Sequence, residues 1–124
     1  MKKKRILVVD DEPGMLLLAK IALDDPCWEI TTACDGNDCL NKLEKGKRPD
    51  LIILDIMMPK ISGLEVCSAI RSQARFRDTK IIYHTALPGQ DMDINLENTM
   101  ADDYIMKGLS QEDFRQKVDE VLNG

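Results

Sequence analysis

The chain has 124 residues, 44% of them hydrophobic and 31% charged, which fits one folded domain with a real core and argues against a disordered chain. The net charge of −5 speaks against direct nucleic-acid binding, and the basic clusters at residues 2–5, 42–48 and 71–80 read as solvated surface. None of the four cysteines (Cys27, Cys34, Cys39, Cys67) has C-x-x-C spacing and His84 is the single histidine, so a zinc site is not expected.

No apolar stretch suits a signal peptide or a membrane span, and free thiols in a reducing cytoplasm fit this composition. Ile6-Leu7-Val8-Val9 predicts a first strand buried on both faces, ending at Asp10-Asp11-Glu12. Pro13-Gly14 then turns the chain into a helix over 14–24. Its apolar residues run nearly all the way round, so it is expected to be well buried. Residues 28–33 alternate, which suggests an edge strand. Asp35-Gly36-Asn37 is a turn and helix start; Cys39, Leu40 and Leu43 give the second helix its apolar stripe, closed by Gly46. Leu51-Ile52-Ile53-Leu54 is a third strand that stops at Asp55. A third helix follows Pro59 and Gly63, with Leu64, Cys67 and Ile70 inward, and Cys39 and Cys67 read as core fillers. Ile81-Ile82-Tyr83-His84 is a fourth strand ending at Thr85. Residues 88–100 predict a short or mobile fourth helix with no clear apolar face. Tyr104-Ile105-Met106 is a fifth strand ending at Lys107, and Ser110-Gln111-Glu112-Asp113 resembles a capping box opening a last helix with Phe114, Val118, Val121 and Leu122 inward.

Strand and helix alternating five times predict an α/β domain with a parallel sheet and helices on both faces. In such a sheet all strand C-termini share one edge, so Asp10-Asp11, Asp55, Thr85 and Lys107 converge on one rim. If the strand order is 2-1-3-4-5, strand order reverses between strands one and three, the two that carry the aspartates. Crowded carboxylates favour a hard cation such as Mg²⁺, and without one their mutual repulsion raises carboxyl pKa values. A lysine and a threonine hydroxyl opposite them suit phosphoryl oxygens. The set as a whole suits phosphoryl transfer onto a carboxylate.

Taken together, Leu7-Val8-Val9-Asp10-Asp11-Glu12-Pro13, Asp35-Gly36, Asp55 with Met58-Pro59 and Gly63, Thr85-Ala86, and Ala101-Asp102-Asp103-Tyr104-Ile105-Met106-Lys107 resemble a response-regulator receiver domain, the phosphoacceptor module of two-component signalling. The resemblance covers nearly the whole chain and implies one receiver domain over residues 1–124 with a flavodoxin-like (βα)5 fold, strands in the order 2-1-3-4-5. It implies that Asp55 is phosphorylated and that Asp11 and Asp55 bind Mg²⁺ with the backbone carbonyl of Met57, Asp10 holding a metal-bound water. Lys107 and Thr85 would contact the phosphoryl group, with Thr85 and Tyr104 moving as switch residues. The implied partners are a sensor histidine kinase or a histidine phosphotransfer protein, and an output domain or target. A homodimer through the face of helix four, strand five and helix five is also implied. Turnover of an external substrate is not expected, and the location implied is cytoplasmic.

Four features depart from the family pattern. Gly108 follows Lys107 where the family usually has a cis-bonded proline, so a trans, looser loop that can displace the ammonium is expected. Met100 replaces a glycine, His84 replaces an apolar residue and reads as structural, and the fourth helix is atypical. Met57 and Leu87, two positions beyond Asp55 and Thr85, are apolar and cannot hydrogen-bond an attacking water, which predicts slow self-dephosphorylation. Two other classes remain in view. A flavodoxin or aspartate-nucleophile hydrolase is disfavoured by Asp10-Asp11-Glu12 after strand one and by the lack of Asp-x-Asp at Asp55. A phosphorylation-independent interaction module is kept open by Gly108 and the odd fourth helix.

Overall fold

A computed structural model describes residues 3–86 and 100–123. The strands are β1 (Lys4–Val9), β2 (Trp28–Ala33), β3 (Leu51–Asp55), β4 (Lys80–Thr85) and β5 (Asp103–Met106), and the helices α1 (Pro13–Ala22), α2 (Gly36–Lys45), α3 (Gly63–Arg71) and α4 (Gln111–Asn123). The strands form one parallel sheet in the order β2-β1-β3-β4-β5. The expected fourth helix at 88–100 lies outside the described residues, apart from Met100.

Strand periodicity divides the core in two. Leu7, Val9, Ile52 and Leu54 point to the face covered by α2 and α3, whereas Ile6, Val8, Leu51 and Ile53 point to the face covered by α1 and α4. Both faces of the central strands are therefore buried, as their continuous apolar runs require. Helix starts follow local chemistry. The Asp35 carboxylate accepts the Asp38 N–H at 2.7 Å, the Ser62 hydroxyl accepts the Glu65 N–H at 3.3 Å, and the Ser110 hydroxyl accepts the Asp113 N–H at 3.1 Å. Pro13 occupies the first turn of α1, where its missing N–H costs nothing.

Two burial expectations are corrected. Helix α1 is not buried all round: Leu17 is 60% exposed, and Leu18 and Ile21 are also on the surface. A helix on one face of a sheet buries a single stripe, here Ala19 and Ala22, whatever the residue types on its far side. Leu64 likewise points outward, and Val66, Cys67 and Ile70 form the inner face of α3. The cysteine expectation holds: Cys39 and Cys67 are buried in the core, and Cys27 and Cys34 are exposed free thiols.

Candidate functional site

Asp10 leaves β1, Asp55 ends β3, Thr85 ends β4 and Lys107 leaves β5, so parallel pairing delivers all four to one rim. Because β1 lies directly beside β3, the aspartates meet. One carboxylate oxygen from each of Asp10, Asp11 and Asp55 lies within 4.8 Å of the others. Asp10 and Asp55 are only 1% and 3% exposed, and Asp11 reaches solvent.

Each buried charge has compensation. The Asp10 Oδ1 accepts the Glu12 N–H at 2.9 Å, and the Asp55 Oδ1 accepts the Met57 N–H at 3.3 Å. Lys107 Nζ lies 3.1 Å from Asp10 Oδ2 and 3.4 Å from Asp55 Oδ1. Among the described residues, Asp10 Oδ2 is buried and receives no well-directed hydrogen bond, and the nearby Lys107 ammonium supplies its compensating charge. Burial pushes the Asp55 pKa up to about 6, with the Asp10 charge adding to it and Lys107 and the Met57 N–H opposing. Crowding was expected to raise it; the larger cause is desolvation. Burial acts against the Lys107 ammonium, but the Asp10 and Asp55 carboxylates outweigh it and raise its pKa.

The loop after Asp55 is held by an approach that only glycine permits. A Cβ on Gly63 would stand 2.2 Å from the Asp55 carbonyl oxygen and 2.8 Å from the Ile56 Cα, and the Gly63 N–H donates to the Ile56 carbonyl at 2.8 Å. The α3 start is thereby pressed onto the site loop. The sequence marked Gly63 without this reason; a glycine just inside a capped helix start was the available signal.

Thr85 is buried at the same rim, and its carbonyl accepts the Lys107 N–H at 2.6 Å. Tyr104 is 38% exposed on β5, outside the carboxylate cluster. Met57 is 70% exposed beside Asp55. His84, the β4 residue paired with Asp55, packs on Phe114 at 5.2 Å between ring centroids. Burial, with Lys107 adding to it, pushes its pKa down to about 4 and keeps it neutral, consistent with a structural role. Gly108 adopts φ +95° and no cis bond occurs among the described residues. Lys107 nevertheless reaches both carboxylates, so the expected displacement of its ammonium does not occur.

The donor set fits a small hard cation. It offers carboxylate oxygens from Asp10, Asp11 and Asp55, one of which is buried without a directed hydrogen bond.

The model of the response regulator receiver domain matches residues 6–119. The chain is 39% identical over 120 residues to the alkaline phosphatase synthesis transcriptional regulatory protein PhoP of Bacillus subtilis, covering 96% of this chain and 48% of that protein. It is 34% identical over 122 residues to the probable transcriptional regulator ycf27 of Porphyridium aerugineum, covering 98% and 49%. The chain thus spans about half the length of the curated relatives it matches. Among solved structures, the chemotaxis response regulator CheY4 of Vibrio cholerae superposes with a TM-score of 0.88 at 28% identity over 97% of this chain and 99% of that one. The response regulator TrrA of Thermotoga maritima, solved in complex with Mg²⁺-BeF, superposes with a TM-score of 0.80 at 42% identity over 95% and 98%. Five parallel strands in the order 2-1-3-4-5, an acidic cluster at their C-terminal rim and these matches together place the chain in the response-regulator receiver family of two-component signalling.

Proposed function

We propose that Asp55 is the phosphoacceptor of this receiver, and that residues 1–124 act as one signalling unit. One observation carries the reading: a buried Asp55 carboxylate faces the Lys107 ammonium at 3.4 Å within a cluster of three carboxylates. Asp10, Asp11, Asp55 and the Met57 backbone carbonyl would hold Mg²⁺, which when bound would neutralise phosphoryl oxygens and the carboxylate cluster. A partner histidine kinase or phosphotransfer protein supplies the phosphoryl group. An Asp55 oxygen forms the new bond to phosphorus as the phosphorus–nitrogen bond of a phosphohistidine breaks, and the departing imidazole takes up a proton. Lys107, already at the carboxylates, neutralises the charge that this adds.

Phosphorylation then draws Thr85 and Lys107 toward the new oxygens and biases a two-state surface that includes Tyr104. That surface contains the exposed Tyr104 and Met106 of β5 and the Lys117–Asp103 ion pair at 2.9 Å, and it receives a target, an output domain or a second copy. No turnover of an external substrate is assigned. The proposed setting is the cytoplasm; among the described residues no helix is long and apolar enough to cross a membrane.

Intact mass after incubation with acetyl phosphate and Mg²⁺ tests this. A single phosphoryl adduct, lost in Asp55→Asn and without Mg²⁺, is expected. A folded wild type that takes up no phosphoryl group, or an adduct that survives in Asp55→Asn, refutes the assignment.

A further inference from the structure

The edge strand β2 lies beside an unusual concentration of positive charge. Residues 29–32 of β2 line a hollow of about 530 Å³. Leu7, Leu43 and Pro49 give it apolar walls, and Arg5, Lys20, Lys42 and Lys47 surround it. It continues into a groove of about 780 Å³ at the N-terminal rim of the sheet, which shares Arg5, Glu29 and Lys47 and adds Lys3, Lys4 and Arg48. The two carboxylates there are already engaged: Glu29 pairs with Arg5 Nε at 3.3 Å, and Asp50 accepts the Arg5 backbone N–H at 2.8 Å. Among the described residues, Lys3, Lys4, Lys20, Lys47 and Arg48 form no ion pair. Two basic runs separated in sequence, with Lys20 beside them, thus converge on one end of a chain whose net charge is −5.

The chemistry selects the occupant. A strand edge offers N–H and C=O groups that match another peptide backbone and not a sugar–phosphate chain. Lys42 Nζ donates to the Thr32 carbonyl at one end of that edge and the Trp28 N–H donates to the Asp25 carbonyl at the other, so the stretch offered to a partner lies between them, around Ile30. The apolar walls suit aliphatic side chains, the free cations suit carboxylates, and among the described residues no aromatic ring lines either groove to stack a base. We propose that the outer edge of β2 and the adjoining basic groove receive an extended, acidic peptide segment of a partner protein, added to the sheet as a sixth strand.

The test uses the whole chain and a labelled, end-capped peptide of about eight residues alternating glutamate and valine, read by fluorescence anisotropy and by amide NMR. Saturable binding is expected, with shifts at the amides of residues 29–32. Lys47→Glu with Arg48→Glu, both on an exposed loop, should weaken it roughly tenfold or more. Methylating alternate peptide nitrogens, which keeps the charge and removes backbone donors, should abolish it. Equal binding of the methylated peptide would overturn strand addition. Tighter binding of an oligodeoxynucleotide of equal charge, or no saturable peptide binding, would overturn the choice of partner.

Discussion

Replacing Asp55 by asparagine should stabilise the cation-free protein at neutral pH. The carboxylate is buried beside Asp10, and its pKa is raised from 3.8 to about 6, first by burial and then by the Asp10 charge. A group whose folded pKa lies above its unfolded value stabilises the fold below the unfolded pKa and loses that contribution as pH rises through the folded one. At pH 7 the charged Asp55 therefore costs about 3 kcal/mol, and the cost shrinks to less than about 1 kcal/mol at pH 4. Asparagine keeps the shape and removes the charge, but it leaves Lys107 with Asp10 as its remaining carboxylate partner. The expected gain at pH 7 is thus about 1–3 kcal/mol. Urea unfolding of both proteins in EDTA at pH 7 and pH 4 measures it, with the difference between variants cancelling the titrating groups that do not interact with Asp55. Adding Mg²⁺ at pH 7 should stabilise the wild type more than the variant. An Asp55→Asn protein no more stable than wild type at pH 7, or a gap that does not narrow on acidification, would refute the reasoning.

Gly63→Ala should destabilise by about 2 kcal/mol or more, because the new methyl meets backbone atoms that cannot turn aside; urea unfolding and the rate of Asp55 phosphorylation should both register it. His84→Leu should flatten the acid limb of stability. The histidine stays neutral down to about pH 4 when folded but protonates near 6.5 when unfolded, so the wild type loses up to about 3 kcal/mol between those values, and urea midpoints at the two ends of the window would expose an unchanged slope. Met57→Asn with Leu87→Glu should shorten the life of the phosphorylated state, read by intact mass over time; an unchanged decay would show that the apolar pair does not protect it. Gly108→Ala should cost about 1 kcal/mol in an unfolding titration, since φ +95° suits glycine although, among the described residues and beyond its chain neighbours, no atom stands within 4 Å of the added carbon.

Most of the sheet was legible because a parallel sheet buries both faces of its central strands and so leaves unbroken apolar runs. Those runs in β1, β3 and β4 end at the polar residues that define the rim, which made Asp10, Asp55 and Thr85 readable as strand ends. β2 was readable as an edge for the converse reason: its exposed Glu29 and Thr31 break the run. Helix burial was harder to read. In α1 leucine occupies positions 16, 17 and 18, and residue type cannot distinguish half-buried Leu16 from exposed Leu17 and Leu18. Only docking against the sheet and α4 decides which stripe goes inside. Gly63 shows a different limit, because the need for glycine comes from the carbonyl of Asp55, eight positions away, and becomes visible only once α3 is placed.

Lys107 brings these levels together. Loop chemistry alone predicted that glycine at 108 would let the ammonium stray. Its placement is fixed from the other side. Met106 pairs with Thr85, the Lys107 N–H donates to the Thr85 carbonyl at 2.6 Å, and Lys117 fastens Asp103 at the start of β5. The strand therefore delivers Lys107 to the rim before the loop begins, and the carboxylates of Asp10 and Asp55 capture its ammonium there. The conformational freedom that Gly108 adds falls downstream of the anchored residue. Looseness at that glycine then bears on how the chain enters α4, while the charge arrangement around Asp55 is carried by strand register and by the attraction between one ammonium and two buried carboxylates.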